Sequence, residues 1–362
     1  MWTPLKTLEQ QRNTEYKDNL LVPDTKFTQY ICNCFQFIDH DEGKLQCTGI
    51  DKRVFNDFES SLADFLKDEL NKICPNKRDY ELKYAIEDID KLKDGVDPKY
   101  DKKLSPHVYL MKYFLENVYC SYLAWFLIYK AGLLPKQIKI LDIAAGPGTV
   151  AYGLALLLQS SNGFFPMPPM HVSYYSLEQQ ALLQYRGLQF WRKYIEAKKT
   201  ATNAYFRFDT TSIFHHQSNS EKLPKGFFDF IVVSHCFFYE PQQRIEFHQI
   251  YKDIFKSKLA TDGYVLLIVQ GRKLFTILVP AKISCKSKTL LIFFLEELEL
   301  KLEWYKYITS TGKRKNMGSE FAKFAKENLP EQESINPLKY QYLKQNFPSS
   351  YAIDDYVIIA RR

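Results

Sequence analysis

The run from Ile138 to Thr149 constrains the fold more than any other part of the chain. It reads IKILDIAAGPGT: an apolar segment that holds Asp142 near its end, a Gly-Pro-Gly turn, and then a helix-like segment that continues to Leu158. This order is typical of a parallel strand that leads through a tight turn of small residues into a helix. Backbone N–H groups and a helix N-terminus in such a turn can contact a nucleotide-like ligand, so the sequence predicts a binding site here.

Later apolar runs fit further strands of the same sheet, and helical segments between them predict βαβ units with right-handed crossovers. The run at 228–233 is almost wholly apolar, as expected for a strand buried on both faces. The last run ends the chain. The runs lie at 171–177, 203–208, 228–233, 263–269 and 351–360.

The order of these segments, a strand with an acid, a Gly-rich turn and then the further strands, resembles that of the class I S-adenosylmethionine (SAM) methyltransferases. The resemblance covers residues 105–362 and implies an α/β fold: a Rossmann-like, seven-stranded, mostly parallel sheet with helices on both faces. Residues 1–104 are then a mainly helical N-terminal extension. A helical insertion is expected at about 317–350, before the last strand.

The resemblance implies SAM as the cofactor and gives roles to residues at the strand ends. Asp142 would orient the turn, Glu178 would accept hydrogen bonds from the ribose hydroxyls, and Asp209 would hold the adenine amino group. Ala144 stands where the family has its first glycine, and its methyl group narrows the approach of backbone to ligand. The implied cofactor-binding positions are Asp142, Ala144, Gly146, Gly148, Glu178, Asp209 and Ser234.

Methyl transfer requires the methyl carbon of SAM to be held in line with a nucleophile and, for some acceptors, removal of a proton. His235 follows the fourth strand and is the first candidate for a general base, because the pKa of histidine is near neutral. Tyr239 and Ser234 are lesser candidates. No metal is expected, since the acids are committed to the cofactor and no ligand set has a suitable spacing.

Charge divides the chain. Residues 1–135 hold 19 Lys/Arg and 22 Asp/Glu, whereas the remainder holds 30 and 20. The basic part, with clusters at 198–199, 313–315 and 361–362, leaves open an RNA- or ribosome-directed methyltransferase, and a similarity to a family linked to mitochondrial small-ribosomal-subunit assembly points the same way. A small-molecule acceptor, with the N-terminal helices as a lid, is slightly preferred. A third reading is an assembly factor that binds SAM weakly.

The N-terminal part is predicted to contain an amphipathic helix at 54–70 with Asp57 and Glu59 facing outward, and a charged linker at 85–103. The aromatic-rich segment 108–129 is expected to be a long buried helix, too short in its apolar part to cross a bilayer. Seven cysteines without regular spacing, and no visible signal peptide, favour a reduced compartment, the cytoplasm. Oligomeric state is not readable from the sequence.

Overall fold

The computed structural model describes residues 18–37, 45–47, 49–94, 96–164, 170–198, 202–209, 223–237, 241–271, 274, 287–310, 319–345, 347 and 350–362.

A mixed sheet forms the centre of the described molecule. Its strands are β3 (Gln137–Ile143), β4 (Met170–Leu177), β5 (Thr202–Asp209), β6 (Phe228–Ser234), β7 (Leu259–Gln270), β8 (Lys301–Thr309) and β9 (Asp354–Arg361). Two further strands, β1 (Phe35–Phe37) and β2 (Leu45–Cys47), form a separate antiparallel pair near the N-terminus. The seven strands described in the large sheet lie in the order β5-β4-β3-β6-β7-β9-β8. The first five are parallel, and β9 runs antiparallel to both of its neighbours.

Helices cover both faces of this sheet. They are α1 (Thr25–Cys32), α2 (Lys52–Asn71), α3 (Pro75–Asp90), α4 (Ser105–Tyr109), α5 (Leu115–Lys130), α6 (Thr149–Ser161), α7 (Ala181–Tyr194), α8 (Pro241–Lys258), α9 (Ser287–Glu297), α10 (Ser319–Asn328) and α11 (Ile335–Leu343). A π-helical turn, Leu110–Phe114, joins α4 to α5. The α/β, Rossmann-like class is therefore confirmed, and helices occupy much of the predicted insertion.

The core has two layers, one on each face of the sheet, because successive side chains of a strand point to opposite faces. Ile138 and Ile140 of β3 join a cluster that also contains buried residues of α1, α2, α5, α6 and α7. Leu141 and Ile143 join the opposite cluster, with residues of α8 and α9. The first cluster runs from the N-terminal helices to β9, so the N-terminal helices share a core with the sheet.

Aromatic side chains from α5 fill much of the first layer, as the sequence predicted. Tyr119, Tyr122, Trp125 and Phe126 are fully buried. The Nε1–H of Trp125 donates to the carbonyl of Val150 at 3.0 Å, which ties α5 to α6. No helix within the described residues has the length and apolar character needed to cross a membrane.

Glu59 corrects the prediction for the amphipathic helix. Asp57 is exposed as expected, but Glu59 is buried, and its Oε1 accepts hydrogen bonds from the backbone N–H groups of Ser334 and Ile335 at 2.8 and 2.6 Å. These donors belong to the first turn of α11, where backbone N–H groups have no helical partner. Glu59 therefore caps a helix 275 residues away, a contact that helical periodicity could not show.

The segment 85–103 is also more ordered than a charged linker. Its first residues belong to α3, and the carboxylate of Asp88 accepts from the N–H groups of Lys99 and Tyr100 at 3.1 and 2.9 Å and from the hydroxyl of Ser105 at 3.0 Å. Tyr100 is buried. This folded connection brings Leu92, Val96, Asp97 and Tyr100 to the site at the end of the sheet.

Two strand predictions need adjustment. The strand expected at 263–269 begins earlier, since β7 starts at Leu259 and includes an irregularity between the pairs Phe228–Leu259 and Phe230–Tyr264. The segment β8 was not predicted at all. Its polar residues Lys301, Glu303 and Lys306 interrupt the apolar pattern, which is tolerated because β8 lies at the edge of the sheet.

Candidate active site

The Gly-Pro-Gly turn follows β3 and has the backbone geometry that its small residues permit. Gly146 and Gly148 have φ angles of 56° and 87°, in the left-handed region that glycine adopts without steric cost. Gly148 is also the N-cap of α6. Ala144 has φ 54°, so a residue with a Cβ holds a conformation that costs roughly 1–2 kcal/mol.

Glu178 lies directly after β4 and links the turn to the next helix. Its Oε2 accepts a hydrogen bond from the N–H of Gly146 at 2.7 Å, and its Oε1 accepts one from the N–H of Gln180 at 2.8 Å. Burial raises the pKa of Glu178, and backbone hydrogen bonds from Gln180, Gly146 and Gln179 oppose that rise. A carboxylate has about four acceptor positions, so Glu178 can still accept from a ligand. We call Ala144, Gly146 and Glu178 the cofactor edge.

Asp142 lies beneath the cofactor edge, not in the pocket. It is fully buried, and the hydroxyl of Tyr174 donates to its Oδ2. Its Oδ1 has no hydrogen-bond partner among the described residues. Burial raises the pKa of Asp142 to about 8, against the effect of the Tyr174 hydrogen bond. This contact is with the neighbouring strand β4, and the role of Asp142 in orienting the turn stays a prediction.

Gly187 supports the turn from α7, a role that the sequence reasoning missed. A Cβ at this position would lie 2.1 Å from the carbonyl oxygen of Pro147, so only glycine permits this approach. The hydroxyl of Tyr152 donates to the carbonyl of Gly187 at 2.7 Å. The available signal was a glycine inside an otherwise helical pattern, which often marks close backbone packing.

A pocket of about 270 Å³ opens at the carboxyl ends of β3, β4 and β6. The cofactor edge forms one wall, and residues of α4, α5 and the 92–100 segment form another, among them Tyr100, Tyr109 and Tyr113. Its acidic side chains are Asp97 and Glu178, and none of the described residues that line it is Lys or Arg. Tyr109 and Tyr113, expected in the core, are half-buried and face this space.

Ser234 and His235 line the same pocket at the end of β6, the strand that pairs with β3. Ser234 ends β6, and His235 has a left-handed φ of 59°, held by a hydrogen bond from its N–H to the carbonyl of Ile268 at 2.8 Å. The Oγ of Ser234 lies 3.0 Å from Nδ1 of His235, and Nε2 of His235 lies 3.0 Å from Oδ1 of Asp355. We call Ser234, His235 and Asp355 the relay side.

Asp355 is the second functional candidate that sequence reasoning missed. It belongs to β9 and is almost fully buried. The thiol of Cys120 donates to its Oδ2 at 3.3 Å, and the N–H of Asp354 donates to the same oxygen at 3.2 Å. Burial disfavours the charge of Asp355, but His235 and these donors hold its pKa below its usual range.

Cys120, His235 and Asp355 also form a group whose potential metal-ligating atoms lie within 4.8 Å of one another. No local pattern indicates this group, because the three positions are far apart in the chain. Hydrogen bonds among the three side chains account for their proximity. That no metal is needed stays a prediction.

The structure gives the strand register of Asp209 and does not describe Tyr239. Asp209 ends β5, in register with Leu177 of β4, which puts it at the same sheet edge as Glu178. Tyr239 lies outside the described residues. Their predicted roles stay predictions.

No family model matches the chain, and no curated protein matches its sequence. Solved structures do match. A SAM-dependent methyltransferase from Leishmania major is 12% identical, covers 72% of this chain and 82% of its own, and has a TM-score of 0.37. The plantazolicin methyltransferase BpumL, solved with a triazolic analog and SAH, is 14% identical and covers 86% of this chain and 100% of its own, with a TM-score of 0.35.

A fibrillarin/Nop5p complex is 16% identical, covers 63% of this chain and 74% of its own, and has a TM-score of 0.34. Similarities this low carry no argument about activity or acceptor. A function is therefore inferred from the geometry of the site itself.

Proposed function

We propose that this protein is a SAM-dependent methyltransferase. The observation that carries the proposal is the contact between Glu178 and the N–H of Gly146, which joins the ends of two adjacent parallel strands around an open pocket. This places an acceptor-only carboxylate beside a turn of small residues, a combination that suits a ribose and an adjoining amino-acid group. Ala144, Gly146 and Gly148 hold the methionine end, Glu178 holds the ribose hydroxyls, and Asp209 receives the adenine.

Bound SAM supplies an electrophilic methyl group on a sulfonium. The chain's own contribution is to bind that group, exclude water and present the acceptor opposite it. Tyr100, Tyr109 and Tyr113 line the same pocket and give it an aromatic surface for an acceptor. The residues 92–100 then serve as part of a lid.

We favour a neutral or cationic small molecule as the acceptor. The described lining contains two carboxylates, Asp97 and Glu178, and neither Lys nor Arg, so an anionic acceptor would lack a permanent counter-charge. Aromatic walls provide apolar contact for a planar or hydrophobic molecule. The cytoplasm is the compartment we propose.

Two of the basic residues that suggested RNA binding are already engaged. Lys198 forms an ion pair with Asp57 of α2. Arg361 pairs with Glu303 at 3.1 Å, and its guanidinium lies 4.4 Å from the ring centre of Tyr264. The cluster at 313–315 lies outside the described residues. These pairings favour the small-molecule acceptor over RNA.

Calorimetric titration tests the cofactor. The protein should bind SAM and S-adenosylhomocysteine (SAH), and it should bind ATP and NAD much more weakly, because neither carries an amino-acid group. Tight binding of NAD with no binding of SAH would refute the proposal.

Filter binding tests the acceptor class. Wild-type protein and a Lys313→Ala, Arg314→Ala, Lys315→Ala variant are compared on a structured RNA at two salt concentrations. Weak retention by both proteins is expected. Tight, salt-sensitive retention that the triple variant loses would instead establish the RNA-directed alternative.

A further inference from the structure

Both ring nitrogens of His235 are hydrogen-bonded, and this decides how the residue can act. Nε2 faces Oδ1 of Asp355 and Nδ1 faces Oγ of Ser234, each at 3.0 Å. A base that takes a proton directly from an acceptor needs a nitrogen lone pair directed at it. In this arrangement the group of the relay side that reaches the pocket with an exchangeable proton is the hydroxyl of Ser234.

The chemistry of Asp355 fixes the tautomer of His235. An ionised carboxylate can only accept hydrogen bonds, so Nε2 must carry the proton that lies between them. In the neutral ring Nδ1 then has the lone pair, and the hydroxyl of Ser234 donates to it. Cys120 and the N–H of Asp354 donate to the other carboxylate oxygen, which keeps Oδ1 directed at His235.

Backbone strain at His235 supports a functional role for this arrangement. A left-handed φ of 59° is unfavourable for a residue with a Cβ, and such strain concentrates where a side chain must be held for function. Asp355 is buried and His235 is largely so, with side-chain exposures of 7% and 13%. Water therefore competes little for these hydrogen bonds.

We propose that Ser234, His235 and Asp355 form a proton relay that deprotonates a hydroxyl acceptor, an alcohol or a phenol. This inference rests on the proposed methyltransferase function. As the sulfonium–methyl bond breaks and the oxygen–methyl bond forms, the acceptor proton passes to Oγ of Ser234. The proton of Ser234 passes to Nδ1 of His235 at the same time.

The products are the methyl ether, neutral SAH and an imidazolium that faces the carboxylate of Asp355. The imidazolium later releases its proton to solvent. An O–H group loses its proton on methylation, whereas an amine can attack with its own lone pair, so a relay of this kind indicates a hydroxyl acceptor. Ser234 is the catalytic residue of the three that touches the acceptor, and Asp355 is a positioning residue.

Nitrogen NMR of the histidine rings tests the relay without knowledge of the acceptor. The protein, with its seven histidines labelled with ¹⁵N, is examined above neutral pH in the presence of SAH, and a His235→Gln variant assigns the signals. The expected result is an unprotonated Nδ1 and a protonated Nε2 in His235. The reverse tautomer, or an even mixture, would overturn the relay.

Three variants sharpen the test. Ser234→Ala should shift the Nδ1 resonance and leave Nε2 protonated. Asp355→Asn should produce a mixture of tautomers, because an amide can donate or accept. Cys120→Ala is the matched control: it removes one donor to the other carboxylate oxygen but leaves the N–H of Asp354 and the carboxylate itself, so the tautomer should be unchanged. An Asp355→Asn spectrum identical to wild type would contradict the positioning role.

SAH calorimetry on the same samples separates this inference from the function on which it rests. If SAH binds and the tautomer is wrong, the relay fails and the methyltransferase proposal stands. If the tautomer is as expected and SAH does not bind to wild type, the proposed function fails instead. Retained SAH affinity in the variants shows that they are folded.

Discussion

The cofactor edge and the relay side both contribute residues to one pocket, yet they are built differently. At the cofactor edge, Glu178 is held by backbone N–H groups of Gly146 and Gln180, donors that exist whatever the side chains are. At the relay side, His235 is held by side chains, one of which lies 120 residues away. A backbone-built site follows from the fold, whereas a side-chain-built site depends on particular residues in distant strands.

The largest expected effect is at the cofactor edge. Glu178→Ala removes the carboxylate that accepts from the ribose, and charge-assisted hydrogen bonds contribute about 1.5–3 kcal/mol each. Two such bonds correspond to roughly a 100-fold or greater loss of SAH affinity by calorimetry. Asp97→Asn, which neutralises the other carboxylate of the pocket, is the control and should lose far less. Equal affinity of Glu178→Ala and wild type would break the comparison.

A second expected effect is the pH dependence of stability that Asp142 causes. Its pKa is about 8 in the folded protein, compared with 3.8 for an exposed aspartate. Between these values the folded state binds a proton that the unfolded state does not, so the free energy of unfolding falls as pH rises from about 4 to about 8. The slope is at most about 1.4 kcal/mol per pH unit.

Asp142→Asn cannot ionise and should flatten this dependence, so that the variant is more stable than wild type at pH 8. Urea denaturation at several pH values measures it. Ser176→Ala, a neutral change opposite Asp142 in the sheet register, should shift stability equally at every pH. A wild-type slope retained in Asp142→Asn would show that another group is responsible.

Gly187→Ala should disturb the turn from behind. The new Cβ would meet the Pro147 carbonyl, and overpacking of this kind costs typically 1–3 kcal/mol. We expect both a lower midpoint in urea and weaker SAH binding, since the turn must move. Gly163→Ala, at an exposed position where the nearest atom to a new Cβ is a side-chain nitrogen of Arg53 at 3.9 Å, should change neither. Loss of stability with full SAH affinity would mean that the turn tolerates the shift.

Ala144→Gly should have a smaller effect of opposite sign. It relieves the left-handed strain at φ 54°, so the free energy of unfolding should rise by about 0.5–1 kcal/mol after the entropy cost of glycine. Ala145→Gly is the control next to it, where no such strain exists, and it should destabilise. If both variants are destabilised alike, the strain at Ala144 contributes nothing.

Metal removal should have no effect, although the relay side contains Cys120, His235 and Asp355. After incubation with EDTA, SAH affinity and the metal content by mass spectrometry should be unchanged, with no stoichiometric metal at any stage. Stoichiometric zinc in the purified protein, lost in Cys120→Ala, would show that these side chains ligate a metal rather than one another.

The contrast between the cofactor edge and the relay side explains how much of the site could be predicted from the sequence. Gly146, Gly148 and Glu178 were predictable because strand ends and turns are local patterns, and parallel strands bring their carboxyl ends to one edge. Asp355 was not, because β9 enters the sheet between β7 and β8 and its pairing is not encoded locally. Glu59 was assigned to the wrong face for a similar reason: its partner helix α11 is remote in the chain.

The π-helical turn Leu110–Phe114 carries a consequence for protein engineering. A π turn holds one residue more than the α-helical turn it replaces. It therefore changes the rotation of α4 about the helix axis relative to α5. Deleting a single residue there would restore a continuous α-helix and rotate α4 by about 100° about its axis. Tyr109 would leave the pocket while Asn117 stayed, which makes this one-residue deletion a means of altering acceptor selectivity without touching the cofactor edge.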